Sequence, residues 1–88
     1  MIRVDKQQIG NLLLVELMAE RNLYLSKIRY FENRHKTDFA AFEKNVNSSS
    51  TESFGNWDEL IDWQAANSLL SKTEEQIADI RNGNIEVA

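Results

Sequence analysis

The sequence contains no cysteine and no proline, and only three of its 88 residues are glycine. Without cysteine the chain has neither a disulfide framework nor a zinc finger, and so little glycine and proline excludes a collagen-like or low-complexity protein. Long apolar runs are also absent: the longest, 12–15, ends at Glu16, and a membrane span needs about 18 residues. The first residues lack the order of a secretory signal, so we expect a cytoplasmic protein with no membrane contact.

Acidic residues are in excess only in the second half of the chain. The whole sequence has ten basic and fourteen acidic residues and a net charge of −4. Residues 1–44 contain eight Lys or Arg and six Asp or Glu, whereas residues 45–88 contain two and eight. An acidic chain has no general attraction for phosphate groups, so nucleic acid is not an expected partner. The acidic half instead offers a surface to a basic protein.

A long first helix is predicted over residues 5–34, where apolar residues recur at spacings of three and four. Its apolar residues fall into several sets rather than one stripe. One facing helix covers only part of so broad an apolar surface. We therefore expect part of this helix to contact a further helix, from another chain.

Two more helices are predicted in the second half of the chain. Thr37 is suited to cap a short helix over about 38–46. Asn56 opens a capping-box pattern, which predicts a third helix over about 57–82 with a stop at Gly83. The polar residues between these two helices predict a mobile loop over 47–53. A regular apolar seam runs along the third helix at heptad spacing, formed by Trp63, Ala66, Leu70, Thr73, Ile77 and Ile80.

Two long helices joined by a short connection must run antiparallel. The sequence thus predicts an all-α hairpin in a single domain, 1–88, with a short helix between the two long ones. We expect it to form a homodimer, a four-helix bundle, because this covers the remaining apolar surface of the first helix. The residues expected at the dimer or partner interface are Leu14, Val15, Met18, Leu25, Trp57 and Trp63.

Some features leave alternatives open. Aromatic residues concentrate around the connection between the long helices, and they form either a core or an exposed anchor for a partner. The two tails, with Ile2 and Val4 at one end and Ile85 and Val87 at the other, alternate like strands. They either pair as a short ribbon, fray, or become ordered by a partner.

Catalytic and metal-binding patterns are weak. With one histidine and no cysteine, a nucleophile and its base would have to be His35 and a scattered serine or threonine, so we expect no enzyme and no cofactor. Glu32-x-x-His35 is the spacing of carboxylate-bridged metal bundles. It lies beside Arg34 and Lys36, and we expect it to be a solvated helix end rather than a metal site.

The pattern of aromatic and acidic residues resembles that of a group of small, acidic, helical bacterial and archaeal proteins. It spans about residues 24–75 and includes Tyr30-Phe31-Glu32, Phe39-Ala40-Ala41-Phe42-Glu43 and Trp57-Asp58-Glu59-Leu60-Ile61-Asp62-Trp63. Members of this group resemble the antitoxin half of two-gene toxin–antitoxin modules. The resemblance implies a cytoplasmic protein that binds and neutralises a protein partner.

These observations together predict a non-enzymatic, antitoxin-like interaction module. Its partner would be a small basic protein such as a toxin, steered by the acidic third helix. The alternative is a structural homodimeric helical adaptor that uses the same surfaces for self-association alone. A third possibility is a metal-binding bundle through Glu32 and His35.

Overall fold

A computed structural model describes residues 2–3, 5–48 and 54–85 of the chain. It contains three α-helices, α1 (Lys6–His35), α2 (Phe39–Ser48) and α3 (Phe54–Arg81), and the described residues form no strand. Helix α1 packs along α3, and α2 packs against α3. The predicted all-α hairpin is thus confirmed. The molecule is elongated, with extents of 63 × 19 × 18 Å.

Helix α1 begins with a complete capping box. The Asp5 carboxylate accepts a hydrogen bond from the Gln8 backbone N–H (2.8 Å), and the Gln8 side chain accepts one from the Asp5 N–H (3.1 Å). These bonds satisfy donors that the first turn of a helix leaves without partners. At the other end the chain leaves the helix through Lys36, which has the left-handed backbone conformation of a helix C-cap (φ 53°).

The starts of α2 and α3 differ from the prediction. Asp38, not Thr37, caps α2, since its carboxylate accepts a hydrogen bond from the Ala41 N–H (2.8 Å). Helix α3 begins at Phe54, so Asn56 lies inside the helix and is not its N-cap. A polar residue near a helix start is therefore a better guide to the existence of the helix than to its first residue.

The end of α3 is a Schellman motif, with the stop at Gly83 as predicted. The Asn84 N–H donates to the Asp79 carbonyl (2.7 Å) and the Gly83 N–H donates to the Ile80 carbonyl (3.0 Å). Gly83 has φ +75°, a conformation in which an L side chain is strained. The motif turns the chain back toward the start of α1.

An aromatic core fills the end of the hairpin next to the connection. Trp63 is only 1% exposed and stacks on Phe31, with ring centroids 5.6 Å apart. Phe39 and Phe42 pack on other sides of the same indole, at 5.6 and 5.4 Å. The cluster is completed by Ile28, Val46 and Leu60. The sequence left open whether the aromatic residues form a core or an exposed anchor for a partner, and the structure places most of them in a core.

The predicted seam of α3 continues away from this core. Ala66, Thr73 and Ile77 are buried, and Leu70 and Ile80 are half-buried. At the far end Gly10 is buried as well, and a Cβ atom on it would lie 3.3 Å from Cδ1 of Ile85. Glycine at this position lets the chain that follows α3 approach the α1 backbone closely.

The two chain ends meet at this far end of the hairpin, where the Lys6 ammonium donates a hydrogen bond to the Gly83 carbonyl (3.2 Å). Ile2 and Ile85 are not in strands, and Val4 and Val87 lie outside the described residues. The predicted ribbon therefore has no support in the part of the tails that is described. The sequence predicts a loop over 47–53, but residues 47 and 48 form the end of α2. The rest of the predicted loop, 49–53, lies outside the described residues.

Candidate interaction surfaces

Helix α1 is apolar on two nearly opposite faces. One face packs along α3 and contains the buried residues Gly10 and Phe31, together with half-buried residues between them. The opposite face carries four large side chains that are 54–70% exposed, namely Leu12, Val15, Leu23 and Tyr30. With the small residues Ala19 and Ser26 they form a row at spacings of three and four, which we call the outer stripe.

The residues predicted to form the interface lie in different environments. Val15 and Met18 are exposed, at 70% and 40%, whereas Leu14 and Leu25 are half-buried. Trp57 is 42% exposed and is available to a partner. Trp63, in contrast, is enclosed by the aromatic core and has almost no surface to offer.

Leu12, Leu23 and Tyr30 were not among the interface residues predicted from the sequence, yet they are more exposed than Met18. Their spacing from Val15 is helical and visible in the sequence. Periodicity alone does not say which of two apolar faces packs inside the hairpin, because both faces have the same repeat. In the structure, the burial of Phe31 and of the α3 seam identifies the face of α1 that packs inside the hairpin.

A groove beside the outer stripe extends its apolar surface onto α3. Leu23 and Tyr30 from α1 and Leu69 from α3 line this groove, whose volume is about 470 Å³. Lys27 and Asp62 supply charge at its rim. The groove is open to solvent, and its lining combines these apolar side chains with the hydroxyl groups of Tyr24 and Ser26.

The first turns of α3 present a second exposed apolar group. Trp57 and Ile61 lie one turn apart and are 42% and 59% exposed. Asp58 and Asp62 follow each of them directly in the sequence and are also exposed. We call these four residues the α3 anchor.

Basic groups at the end of α1 are tied to α3 through Glu59. The carboxylate of Glu59 forms an ion pair with the Arg34 guanidinium, and its Oε2 atom lies 3.1 Å from Nε2 of His35. The latter contact does not have hydrogen-bond geometry. The His35 ring also stacks on Phe42 at 4.1 Å. His35 thus joins all three helices.

Substitution of Glu59 by glutamine is expected to lower the free energy of unfolding by about 1 kcal/mol, because a mostly buried carboxylate loses its ion pair with Arg34. Glu74→Gln is the matched control, since its pair with Arg21 is about half exposed and contributes less than about 0.5 kcal/mol. Urea denaturation followed by circular dichroism measures both. Equal effects of the two variants would contradict this role of Glu59.

The described residues contain no group of three or more His, Asp or Glu side chains that could hold a metal ion. His35 is engaged by Phe42 and Glu59, while Glu32 is exposed on the surface of α1. In the same part of the chain, no helix is both long and apolar enough to cross a lipid bilayer.

The fold and its surfaces define a small all-α hairpin with two exposed apolar groups on different helices. No protein-family model, curated protein or solved structure matches the chain. The resemblance to antitoxin-like proteins therefore stays a prediction. Inferences about function rest on the chemistry of the outer stripe and the α3 anchor.

Proposed function

We propose that this chain is a non-enzymatic protein-interaction module of the cytoplasm that binds and neutralises a basic protein partner, as antitoxin-like proteins do. The observation that carries the proposal is the α3 anchor, in which Trp57 and Ile61 are exposed side by side between acidic residues. Tryptophan is the residue type most enriched among those that dominate binding energy at protein interfaces. An apolar centre with a charged rim is the usual composition of such a site.

The charge of α3 supports a basic partner. Its sequence contains six acidic and two basic residues. Two of the acidic residues, Glu59 and Glu74, form ion pairs with α1. The other four, Asp58, Asp62, Glu75 and Asp79, form no ion pair among the described residues. Their field attracts a basic protein over roughly the Debye length, about 8–10 Å in physiological salt.

A tagged chain, captured from its source cell and weighed intact by native mass spectrometry, tests the proposal. We expect a stoichiometric second protein that is basic and inhibits growth when it is expressed alone. Trp57→Ala is expected to weaken its binding by about thirtyfold, the loss typical of a hot-spot residue. Asp58→Lys is expected to slow association and to reduce its dependence on salt.

Leu12→Ala is the matched control for this experiment, since it removes an exposed apolar side chain from α1 rather than from α3. We expect it to leave partner binding unchanged. Recovery of the chain alone, or a partner whose affinity does not change in Trp57→Ala, would contradict the proposal.

A structural helical adaptor is the second candidate function. The observation that favours it is the outer stripe, which exposes four large apolar side chains on a helix already packed on its other face. An adaptor of this kind uses the stripe for self-association and leaves the α3 anchor without a dedicated partner. Salt separates the two functions, because it slows the steered association of a basic partner steeply, whereas it weakens a mainly apolar self-association much less.

A further inference from the structure

We propose that the outer stripe of α1 packs against the outer stripe of a second copy in antiparallel orientation, with Glu16 of each copy beside Lys27 of the other. The proposal deepens the adaptor candidate by naming the partner and its register. It concerns α1 and does not depend on what binds the α3 anchor. Self-association through the outer stripe and partner binding at the α3 anchor can therefore occur in one molecule, and either can fail alone.

The exposed area of the chain is the first argument. The chain exposes 6898 Å², whereas a compact monomer of 10.2 kDa exposes only about 5,300 Å². A standard protein interface removes about 800 Å² from each partner. The difference of about 1,600 Å² follows from the elongated shape of the hairpin, and it is about twice the area that a standard interface removes from one partner.

The length and position of the outer stripe are the second argument. From Leu12 to Tyr30 it extends over about 27 Å of helix at 1.5 Å per residue. It lies nearly opposite the face that packs on α3, so two stripes can meet without disturbing either hairpin. The two α1 helices then lie at the centre of the dimer, and each α3 lies on the outside.

The distribution of charge along α1 selects the orientation. Glu16 and Glu20 lie on one flank of the stripe in the first half of the helix, and Lys27 lies on the same flank in the second half. In an antiparallel pair related by a two-fold axis, equivalent flanks meet, so the acidic half of one helix faces the basic half of the other. In a parallel pair opposite flanks meet, and the acidic half of one helix lies beside the acidic half of the other, so Glu16 and Glu20 do not face Lys27.

Side-chain sizes agree with the same register. When Glu16 faces Lys27 of the second copy, Leu23 lies across from position 20 and close to Ala19 of that copy. Leu12 then lies next to Tyr30 of the second copy. Large residues thus meet small ones near the two-fold axis. At each end of the stripe, an aliphatic side chain of one copy packs on an aromatic side chain of the other.

Charge reversal tests the pairing. Glu16→Lys and Lys27→Glu are each expected to weaken dimerisation about tenfold, measured by sedimentation equilibrium. Each substitution places like charges opposite each other, and the two-fold symmetry creates this repulsion at two places in the dimer. The double variant Glu16→Lys/Lys27→Glu restores opposite charges across the interface and is expected to return close to the wild-type dissociation constant. Both substituted positions are on the surface, and circular dichroism checks that each of the three variants folds.

The orientation can be measured directly because the chain has no native cysteine to interfere with labelling. A spin label on Asn33→Cys, at an exposed position near the end of α1, reports the distance between the two copies. In the antiparallel register the two labels are about 35 Å apart along the helices, whereas in a parallel pair they are about 10–15 Å apart. A distance near the shorter value overturns the proposal.

Loss of the apolar contact provides the last test. Leu23→Glu is expected to weaken dimerisation at least a hundredfold, because it places a charge within the stripe. Ile61→Glu, the matched control in the α3 anchor, leaves the dimer intact. A wild-type chain that is monomeric at tens of micromolar, or single charge variants that dimerise as well as wild type, would overturn the proposal without affecting the α3 anchor.

Discussion

Replacing Trp63 with alanine is expected to lower the free energy of unfolding by about 3–5 kcal/mol. The indole is 1% exposed and contacts rings from both α1 and the α2 segment, so its loss leaves a cavity that no single neighbour can fill. A chain of 88 residues has a total stability of only about 5–10 kcal/mol. Urea denaturation followed by far-ultraviolet circular dichroism, at one fixed protein concentration, measures the change.

Two controls identify the cause of this effect. Trp57→Ala removes the same side chain from an exposed position and is expected to change stability by less than about 0.5 kcal/mol. Trp63→Phe keeps an aromatic ring and removes a buried indole N–H that has no hydrogen-bond partner among the described residues. We expect it to be much milder than Trp63→Ala. Equal losses at positions 57 and 63 would contradict the assignment of Trp63 to the core.

Phe42→Ala is the second large effect, with an expected loss of about 3 kcal/mol. Phe42 of α2 reaches both other helices, since its ring lies 4.1 Å from that of His35 and 5.4 Å from that of Trp63. Its removal separates α2 from the hairpin while α1 and α3 stay packed beyond the core. Hydrogen exchange is the informative measurement, because it resolves local opening from global unfolding.

The pattern of exchange distinguishes this prediction from the first. In Phe42→Ala we expect amides of α2 to lose protection while those around Ile77 keep most of theirs. Phe39→Ala is the control within α2, and it should have a smaller effect because Phe39 is only half-buried. Uniform loss of protection along the whole chain would show that α2 does not open separately.

Much of the hairpin could be predicted because its signals are local and repeated. The heptad seam of α3 identified Trp63, Ala66, Thr73 and Ile77 as inward-facing, and all four are buried. Gly83 identified the end of α3 through the backbone conformation that glycine alone adopts freely. These features depend on the chain's own periodicity and on its turn residues, which a sequence displays directly.

Other features depend on which groups meet in three dimensions and could not be predicted. Thr37 and Asp38 are both good caps, and only the path of the chain after Lys36 places Asp38 against the Ala41 N–H. The sequence likewise shows several groups of apolar residues on α1, and the packing of α3 determines which of these groups stays exposed to solvent. Leu12, Leu23 and Tyr30 belong to the outer face for this reason.

The aromatic core lies at the connected end of the hairpin, and this affects how the chain folds. Contacts there join residues close in sequence, such as His35 and Glu59, whereas Lys6 and Gly83 at the other end are 77 residues apart. Closing the shorter segment costs less chain entropy, and it brings together the most strongly buried side chains. The two long helices should therefore close from the core outward, and reopen first where Lys6 meets Gly83.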